Sequence, residues 1–228
     1  MHQKRLSAPK TIKIPRKEKK WLTSSSPGPH DKSSVPLVVV VRDLLGIANT
    51  GREARKAISS GEILVDGVPR KDHRFSLGLF DVVSVPSLEK SYRILFDEQG
   101  RYTPKEIEDE NLKVYKITGK TIVKGGKEQL NLFDGSNILA SGYNVKDSVL
   151  LEIPEKKIVD HLKFEEGAMV MITGGSHAGE MGKLKKYRIM KGPSANLVTV
   201  EGEEKEYTTI EDYVFVIGKD KPVIDLGV

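Results

Sequence analysis

The sequence contains no cysteine among its 228 residues, and only 6% of the residues are aromatic. The absence of cysteine excludes disulfide bonds, thiolate metal ligands and thiol nucleophiles, and it agrees with a reducing compartment. With one tryptophan, six phenylalanines and seven tyrosines, the chain has few large side chains to fill one extended core. Three small cores are at least as compatible with this composition as a single large one.

Long apolar runs are also missing, and none is much longer than Leu37–Val41. A membrane-spanning helix needs roughly 18–20 such residues. The N-terminus carries charge but no apolar segment behind it, so it does not match a secretory signal. Five prolines between residues 9 and 36 would interrupt the amphipathic helix of a mitochondrial transit peptide. We therefore expect a soluble cytoplasmic protein with no membrane partner.

The positive charge of the chain is concentrated at one end. Residues 1–34 contain nine Lys or Arg against two acidic residues, whereas the other 194 residues contain 28 basic and 30 acidic ones. This segment has no apolar period, and Ser24–His30 is rich in serine, proline and glycine. We predict a basic arm that is extended or disordered when free and that contacts a polyanion. The alternative is a solvated tail without function.

The motifs of common enzymes and cofactor sites do not occur. The glycine-rich segment 174–183 has His177 where a P-loop or a dinucleotide-binding motif needs glycine, and Leu184 where a P-loop needs Ser or Thr. The five histidines are scattered without metal-ligand spacing, and no serine lies in a Gly-x-Ser-x-Gly pattern. We therefore expect no catalytic residue, cofactor, metal or small-molecule substrate. The glycines of 174–183 instead predict a tight turn between two strands.

Residues 35–90 form the first predicted unit. Thr50 and Glu53 match a capping box, so a helix should begin after Thr50 and end at Gly61. A hairpin with its turn at Asp66-Gly67 should follow, and then a strand over 82–85. Residues 37–48 fit both a strand, by their valines, and a helix, by their apolar spacing. We predict a helix there.

Short strands fill the rest of the chain. The central domain, 91–160, should contain strands over 92–96, 112–117, 120–123, 128–133 and 148–153, with a helical turn in the acidic stretch 104–110. Residues 161–218 should contain five strands over 168–173, 183–190, 196–200, 205–209 and 213–217. Five short strands in so few residues predict a small barrel, followed by a C-terminal tail over 219–228.

Several of these segments resemble known RNA-associated modules. Thr50–Val85, with Arg52-Glu53-Ala54 and Val65-Asp66-Gly67, resembles the S-four-type RNA-binding domain. Phe164–Tyr187, with the glycines and lysine of its turn, resembles a KOW motif, which implies an SH3-like β-barrel; the turn residues are Gly167, Gly175, Gly179, Gly182 and Lys183. The implied fold is α+β and multidomain, with an S-four-type α/β domain, a central all-β domain and a C-terminal barrel.

The order of the modules is more specific. Lys4–Lys10, Pro27–His30, Arg42–Leu45, Asp97–Arg101 and Val214–Gly218 resemble successive parts of the S-four-e family of small-subunit ribosomal proteins, found in archaea and eukaryotes. The similarity extends over nearly the whole chain, and the short arm and tail are closer to the archaeal form. Glu180 stands where the family commonly has a basic residue, which leaves RNA contact by this turn open.

The resemblance implies a monomeric, non-catalytic protein of the ribosome that binds small-subunit rRNA and neighbouring ribosomal proteins and supports subunit assembly and translation. The predicted RNA-binding side chains lie in the arm, on the helix and after the hairpin: Lys4, Arg5, Lys10, Lys13, Arg16, Lys17, Lys19, Lys20, Trp21, Arg52, Arg55, Lys56, Arg70, Lys71 and Arg74. For Trp21, stacking on a nucleotide and docking on the protein are equal alternatives. Cations on rigid modules suit structured RNA, which is recognised through its shape and backbone.

Two other classes of protein use the same modules. One is an RNA-modifying enzyme such as a pseudouridine synthase, which would need a catalytic domain that the two small β units are too short to provide. The other is a transcription or translation factor that docks through the barrel. A factor would wash off salt-treated small subunits, whereas a ribosomal component would remain.

Overall fold

The computed structural model describes residues 2–30, 34–202 and 205–226. Asp31 and Lys32, which enter the charge of the arm, and Gly227 and Val228, at the end of the predicted tail, lie outside the described residues, as do residues 203–204. The chain divides into two compact units. The first contains the described residues up to 95 together with 101–113 and 226, and the second contains 96–100 and 114–225.

Among the described residues, the first unit contains both helices that are longer than one short turn. It also contains most of the strands of three small sheets. Its elements are β1 (His2–Lys4), β2 (Trp21–Thr23), β3 (Val35–Pro36), α1 (Leu37–Val39, continuing as a π-helical turn over Val40–Leu44), α2 (Gly51–Ser60), β4 (Leu64–Val65), β5 (Val68–Pro69), β6 (Ser76–Leu77), β7 (Val82–Val85), β8 (Lys90–Phe96) and β9 (Tyr102–Ile107). β1 pairs with β2, β3 pairs with β6, and the largest sheet has the order β5-β4-β7-β8-β9.

The second unit is built from two five-stranded sheets. Its strands are β10 (Leu112–Val123, which begins in the first unit), β11 (Lys127–Leu132), β12 (Asn137–Leu139), β13 (Ser148–Glu152), β14 (Lys157–Leu162), β15 (Met169–Ile172), β16 (Met181–Arg188), β17 (Leu197–Glu201), β18 (Glu206–Ile210) and β19 (Val214–Gly218). The sheet orders are β12-β11-β10-β13-β14 and β18-β17-β16-β15-β19. Three-residue 3₁₀ turns lie at Arg5–Ser7, Pro86–Leu88 and Glu211–Tyr213.

Local signals placed α2 and the following hairpin correctly. The Thr50 side chain accepts a hydrogen bond from the Glu53 backbone N–H at 3.2 Å, and the Glu53 carboxylate accepts from the Thr50 N–H at 3.1 Å. The helix ends at Gly61, whose φ of 85° is the left-handed cap. Asp66 and Gly67, with φ of 49° and 73°, form the predicted turn between β4 and β5. Positive φ at both turn residues matches the right-handed twist of the flanking strands.

The valine-rich segment after residue 36 is helical, as predicted, although its valines favour a strand. Residues Leu37–Val41 are all at most 1% exposed, because this short helix packs in the interior of the first unit. The α-helical turn changes to a π-helical one, in which the Leu45 N–H donates to the Val40 carbonyl at 2.8 Å. Burial on every side outweighs the intrinsic preference of the valines, which amounts to only about 1 kcal/mol across the scale.

The arm is not the extended or disordered segment that its composition predicts. β1 and β2 pair in register from His2↔Thr23 to Lys4↔Trp21, and Ile12 forms a parallel bridge to Tyr102. Ala8, Ile12 and Leu22 are buried although they have no common period along the chain. The arm therefore gains its order from contacts with distant segments, which an apolar pattern along one segment does not reveal.

The acidic stretch 104–110 does not form the predicted helical turn; its first half is strand β9. Pro104 is compatible with this strand because β9 is the last strand in its sheet order, where a missing backbone donor is tolerated. β8, assigned from the sequence to the central domain, pairs with β7 of the first sheet. The two strands predicted over 112–117 and 120–123 are one strand with a register shift at Gly119, and β12 and β14 were not predicted.

A buried charge network joins four segments of the first unit. The Lys113 ammonium, fully buried, lies 2.6 Å from an Asp66 carboxylate oxygen and 2.5 Å from an Asp81 oxygen. His30, at the end of the arm, contacts Asp81 at 2.9 Å. Burial alone would raise the pKa of Asp81, but His30 and Lys113 outweigh it and hold this pKa well below its ordinary value. Burial, only partly offset by Lys113, raises the pKa of Asp66.

A second buried lysine connects the two sheets of the second unit. Lys116 on β10 donates to the backbone carbonyls of Val214 at 2.8 Å, Asp212 at 2.9 Å and Glu211 at 3.4 Å. Burial, only partly offset by Asp212 and Glu211, lowers the pKa of Lys116 to about 8. The beginning of β19 is thereby attached to the middle of the central sheet.

We predict that Lys113→Met destabilises the first unit by about 3–5 kcal/mol, because it leaves two buried carboxylates without their cation. Urea unfolding at pH 7, followed by the fluorescence of Trp21, measures the loss. Lys105→Met on β9 is the control and should cost less than about 1 kcal/mol. The deficit should shrink at pH 5, where an unpaired carboxyl becomes protonated. A loss that is equal at both pH values would contradict this explanation.

For Lys116, the sign of the pH dependence follows from its lowered pKa. Between about pH 8 and pH 10.5 the unfolded chain keeps the lysine proton that the folded chain has released, so the unfolding free energy rises with pH. Relative to Lys116→Met, the wild type should gain up to about 3 kcal/mol across this window. Denaturant unfolding at pH 7.5, 9 and 10, followed by far-UV circular dichroism, tests it. A constant difference between the two proteins would show that Lys116 keeps an ordinary pKa.

Candidate nucleic-acid interface

Helix α2 has one buried face and one cationic face. Ala54 and Ile58 are fully buried, whereas Arg52, Arg55 and Lys56 are exposed. Because residues three and four apart share a face of a helix, burying Ala54 and Ile58 turns these cations toward solvent. The predicted cationic face is therefore present, on a helix whose position is set by its core contacts.

The segment that follows the hairpin lies beside α2. A Cβ at Gly61, the C-terminal cap, would come 3.6 Å from the Cε atom of Lys71, so this lysine lies at the end of the helix where unpaired carbonyls favour a cation. The Arg70 guanidinium lies 4.5 Å from the ring centroid of Phe75. Arg74 donates through Nε to the Ser24 carbonyl at 3.1 Å, which attaches the arm to this segment.

The pKa of His73 depends in part on the cations of this surface, although the sequence did not identify His73 as a site residue. Burial, Arg55 and Arg74 lower the pKa of His73, while Asp72 opposes them. Arg55 comes from the helix and Arg74 from the segment after the hairpin, so the fold brings these two parts of the predicted set to one place. We call Arg52, Arg55, Lys56, Lys71, His73 and Arg74 the helix patch.

Two of the arm's predicted RNA contacts donate hydrogen bonds to other parts of the protein. Arg5 is 1% exposed; its guanidinium donates to the Pro15 carbonyl at 2.8 Å and lies 3.5 Å from Asp43. Because a buried arginine is fixed by its internal partners, Arg5 is no longer proposed as an RNA-binding residue. Arg16 donates to the carbonyls of Ala8 at 2.7 Å and Pro9 at 2.8 Å, so part of its guanidinium holds the arm together.

The other predicted cations of the arm are exposed: Lys4, Lys10, Lys13, Lys17, Lys19 and Lys20. Trp21 is half exposed, and the Lys20 ammonium lies 5.1 Å from its ring centroid. This aromatic face neighbours a cation rather than lying in a core. The arm therefore presents these lysines outward, while Ala8, Ile12, Leu22 and Arg5 face the protein.

The glycine-rich turn between β15 and β16 has the predicted backbone geometry. In the turn, Gly175 and Gly179 have positive φ, as does Gly167 before β15. A Cβ at Gly182, at the start of β16, would collide with the carbonyl of Glu201. Polar side chains of this turn and of the start of β16 have partners within the chain. His177 accepts or donates at 3.0 Å to Glu180 and stacks on Tyr207 at 4.5 Å, while the Lys183 ammonium lies 3.1 Å from Asp220.

Within residues 2–30, 34–202 and 205–226, no group of three or more His, Asp or Glu side chains is arranged to hold a metal ion. No helix in this part of the chain is both long and apolar enough to cross a membrane.

Comparisons with known families agree with this geometry. Residues 1–33 match the RS4NT (NUC023) domain, residues 35–83 the S4 domain, and residues 88–158 the Ribosomal family S4e. The helix patch lies in the S4 match, and the capping box, helix and hairpin are its elements. These features define an S4-domain protein.

Relatives identify the family. The chain is 70% identical over its whole length to the small ribosomal subunit protein eS4 of Archaeoglobus fulgidus, 99% of which is covered. It is 50% identical, over 99% of the chain and 95% of the relative, to that of Methanosphaera stadtmanae. The crystal structure of the 30S ribosomal protein S4e from Thermoplasma acidophilum superposes with a TM-score of 0.71 at 29% identity, covering 82% of this chain and 96% of that one.

The chain belongs to the eS4 family of small ribosomal subunit proteins. The predicted family is thereby confirmed, including its archaeal character. This family consists of ribosomal structural proteins and is not known to be enzymatic, which confirms the expectation that the chain is not an enzyme. The S4 domain and the mostly β architecture with several sheets are confirmed as well.

We predict that Arg55→Gln raises the pKa of His73, because it removes one of the cations that disfavour the imidazolium. NMR titration of the His73 ring, in the full chain, measures the change. Arg52→Gln removes an equal charge from the same helix and is the control, since Arg52 does not contribute to the lowered pKa of His73. An equal pKa shift in the two variants would mean that His73 responds to the total charge of the helix, and it would contradict a specific position of Arg55 beside His73.

Proposed function

We propose that the chain is a structural constituent of the small ribosomal subunit and binds rRNA through the helix patch and the exposed lysines of the arm. Family membership assigns it to the ribosome, and therefore to the cytoplasm. The observation that carries the RNA-binding proposal is the convergence of cations from α2 and residues 70–74 on one surface, where the field of Arg55 and Arg74 adds to burial in lowering the pKa of His73. Such a field attracts a polyanion.

The cations of the helix patch suit a folded RNA for a second reason. Helix α2 is fixed by the buried Ala54 and Ile58. Residues 70–74 are held by backbone hydrogen bonds, in which the His73 and Arg74 carbonyls accept from Val38 and Ser26. Little backbone must therefore be ordered when the cations bind RNA. Phosphate oxygens on a structured RNA have fixed spacings, and rigid cations select among them by shape. Support of subunit assembly and translation follows from holding rRNA segments in place, with no bond made or broken.

The barrel fold within the second unit, the domain boundaries of the chain and its protein partners are also proposals. We propose that β15–β19 close into an SH3-like barrel with a KOW motif in Phe164–Tyr187, supported by five antiparallel strands with bulges in β15 and β16. The domains would be 1–34, 35–90, 91–160 and 161–218, with a tail from 219. The free protein would be a monomer, and in the subunit it would also contact neighbouring ribosomal proteins.

Replacing Arg52, Arg55 and Lys56 together with Gln should weaken binding to small-subunit rRNA roughly tenfold or more. The slope of log K against log salt should become shallower by about 2–3, because about three phosphates lose their neutralising cations. Fluorescence anisotropy with labelled rRNA between 50 and 300 mM KCl, roughly the range over which the salt term changes affinity strongly, measures both.

The matched control replaces three exposed lysines of the second unit, Lys157, Lys163 and Lys219, with Gln. It removes the same charge and should leave the slope nearly unchanged. The arm is tested by Lys17→Gln, Lys19→Gln and Lys20→Gln in one chain, since deletion would also remove buried residues such as Arg5. If the helix-patch variant and the control lost affinity equally, binding would follow net charge and the proposed interface would be wrong.

A further inference from the structure

The arm runs along the beginning of β9 and forms a concave surface there. Ile12 bridges Tyr102 in parallel, and the Tyr102 N–H donates to the Thr11 carbonyl at 2.7 Å. Both Ile12 and Tyr102 are at most 3% exposed. Thr11 and Ile12 are therefore held against the beginning of the strand, and their neighbours Lys10 and Lys13 line a common surface with Arg101, the residue that precedes β9.

Between these segments lies an open hollow of about 210 Å³. Four cationic side chains line it, and the rest of the lining is aliphatic or proline, with no carboxylate. The four are Lys10, Lys13, Arg16 and Arg101. Three of them come from the arm, whereas Arg101 comes from a distant part of the sequence and was not among the predicted RNA contacts.

The guanidinium of Arg16 is fixed before any ligand arrives. Its Nη1 donates to the carbonyls of Ala8 at 2.7 Å and Arg5 at 3.3 Å, and its Nη2 to that of Pro9 at 2.8 Å. A guanidinium has five N–H donors, so the N–H of Nε and one on Nη2 remain for another acceptor. Arg5 in turn donates to the Pro15 carbonyl, which stabilises the same loop from its inner side.

We infer that this hollow is a receptor for a backbone phosphate of the bound rRNA, and we call it the arm hollow. A hollow whose lining has four cations and no carboxylate favours an anion. Planar guanidinium groups suit the paired oxygens of a phosphate. The preorganised Arg16 loses little conformational freedom on binding. The inference rests on the proposed function and adds to it a defined phosphate position and a contact residue, Arg101, outside the arm.

The first test uses the full chain and labelled small-subunit rRNA. Arg101→Gln should lower the affinity several-fold and make the salt slope shallower by about 0.7–0.9, the value for one phosphate. Lys105→Gln, on the adjoining strand β9 but outside the lining of the hollow, is the matched control and should leave the slope unchanged. An unchanged slope for Arg101→Gln, with rRNA binding intact, overturns the inference and leaves the proposed function standing.

A double-variant cycle asks whether the cations share one phosphate. Lys13→Gln and Arg101→Gln should each reduce the slope by about one phosphate, and the double variant by little more than either alone. Full additivity would mean that the two residues contact separate phosphates and would overturn a common receptor. Lys13 is exposed, so Lys13→Gln keeps the test available if Arg101→Gln does not fold.

The second test does not involve RNA and uses inorganic phosphate as the probe. At constant ionic strength, replacing chloride with phosphate should shift the Arg16 Nε–H resonance in the NMR spectrum of the full chain, and Arg101→Gln should weaken this shift several-fold. Lys105→Gln should retain it. No shift in the wild type contradicts a phosphate receptor, whereas a chain that shows the shift but fails to bind rRNA would contradict the proposed function instead.

Discussion

The ammonium of Lys113 is the constraint on which the first unit depends. It lies with no solvent exposure between Asp66 in the hairpin turn and Asp81 before β7, and Asp81 also contacts His30 at the end of the arm. A charge in the interior is tolerated only with partners in close geometry, so these segments have one mutual arrangement. Asp66 lies in the hairpin turn that connects α2 with residues 70–74 along the chain, so the network fixes the connection between the two parts of the helix patch.

The basic residues of the chain divide by environment into two kinds. Arg5, Lys113 and Lys116 lie in the interior and donate to carboxylates or backbone carbonyls, and they determine how segments pack. Others, such as Arg52 and Lys56, are exposed and contribute to the field outside the protein. Desolvation decides the difference, since a buried cation needs its partners inside the chain, whereas an exposed one is available to a phosphate.

The most accurate predictions rest on interactions between near neighbours. The capping box of Thr50 and Glu53 and the Asp66-Gly67 turn were both predictable, because their hydrogen bonds and φ values involve residues a few positions apart. The errors concern segments stabilised from a distance. Strand β9 was predicted as a helical turn because its acidic residues give no sign of the sheet that it joins at the edge. The arm was predicted to be extended or disordered because its buried apolar residues follow no period.

By itself the sequence determined the family, the positions of α2 and its hairpin, and the concentration of positive charge in the first 34 residues, since each depends on residue order or on local geometry. Only the tertiary structure decided that Arg5 faces the interior while Lys13 faces solvent, and that Arg101 joins the arm in one hollow. The physical reason is that burial and electrostatic environment are set by residues far apart in the chain, which meet only after folding.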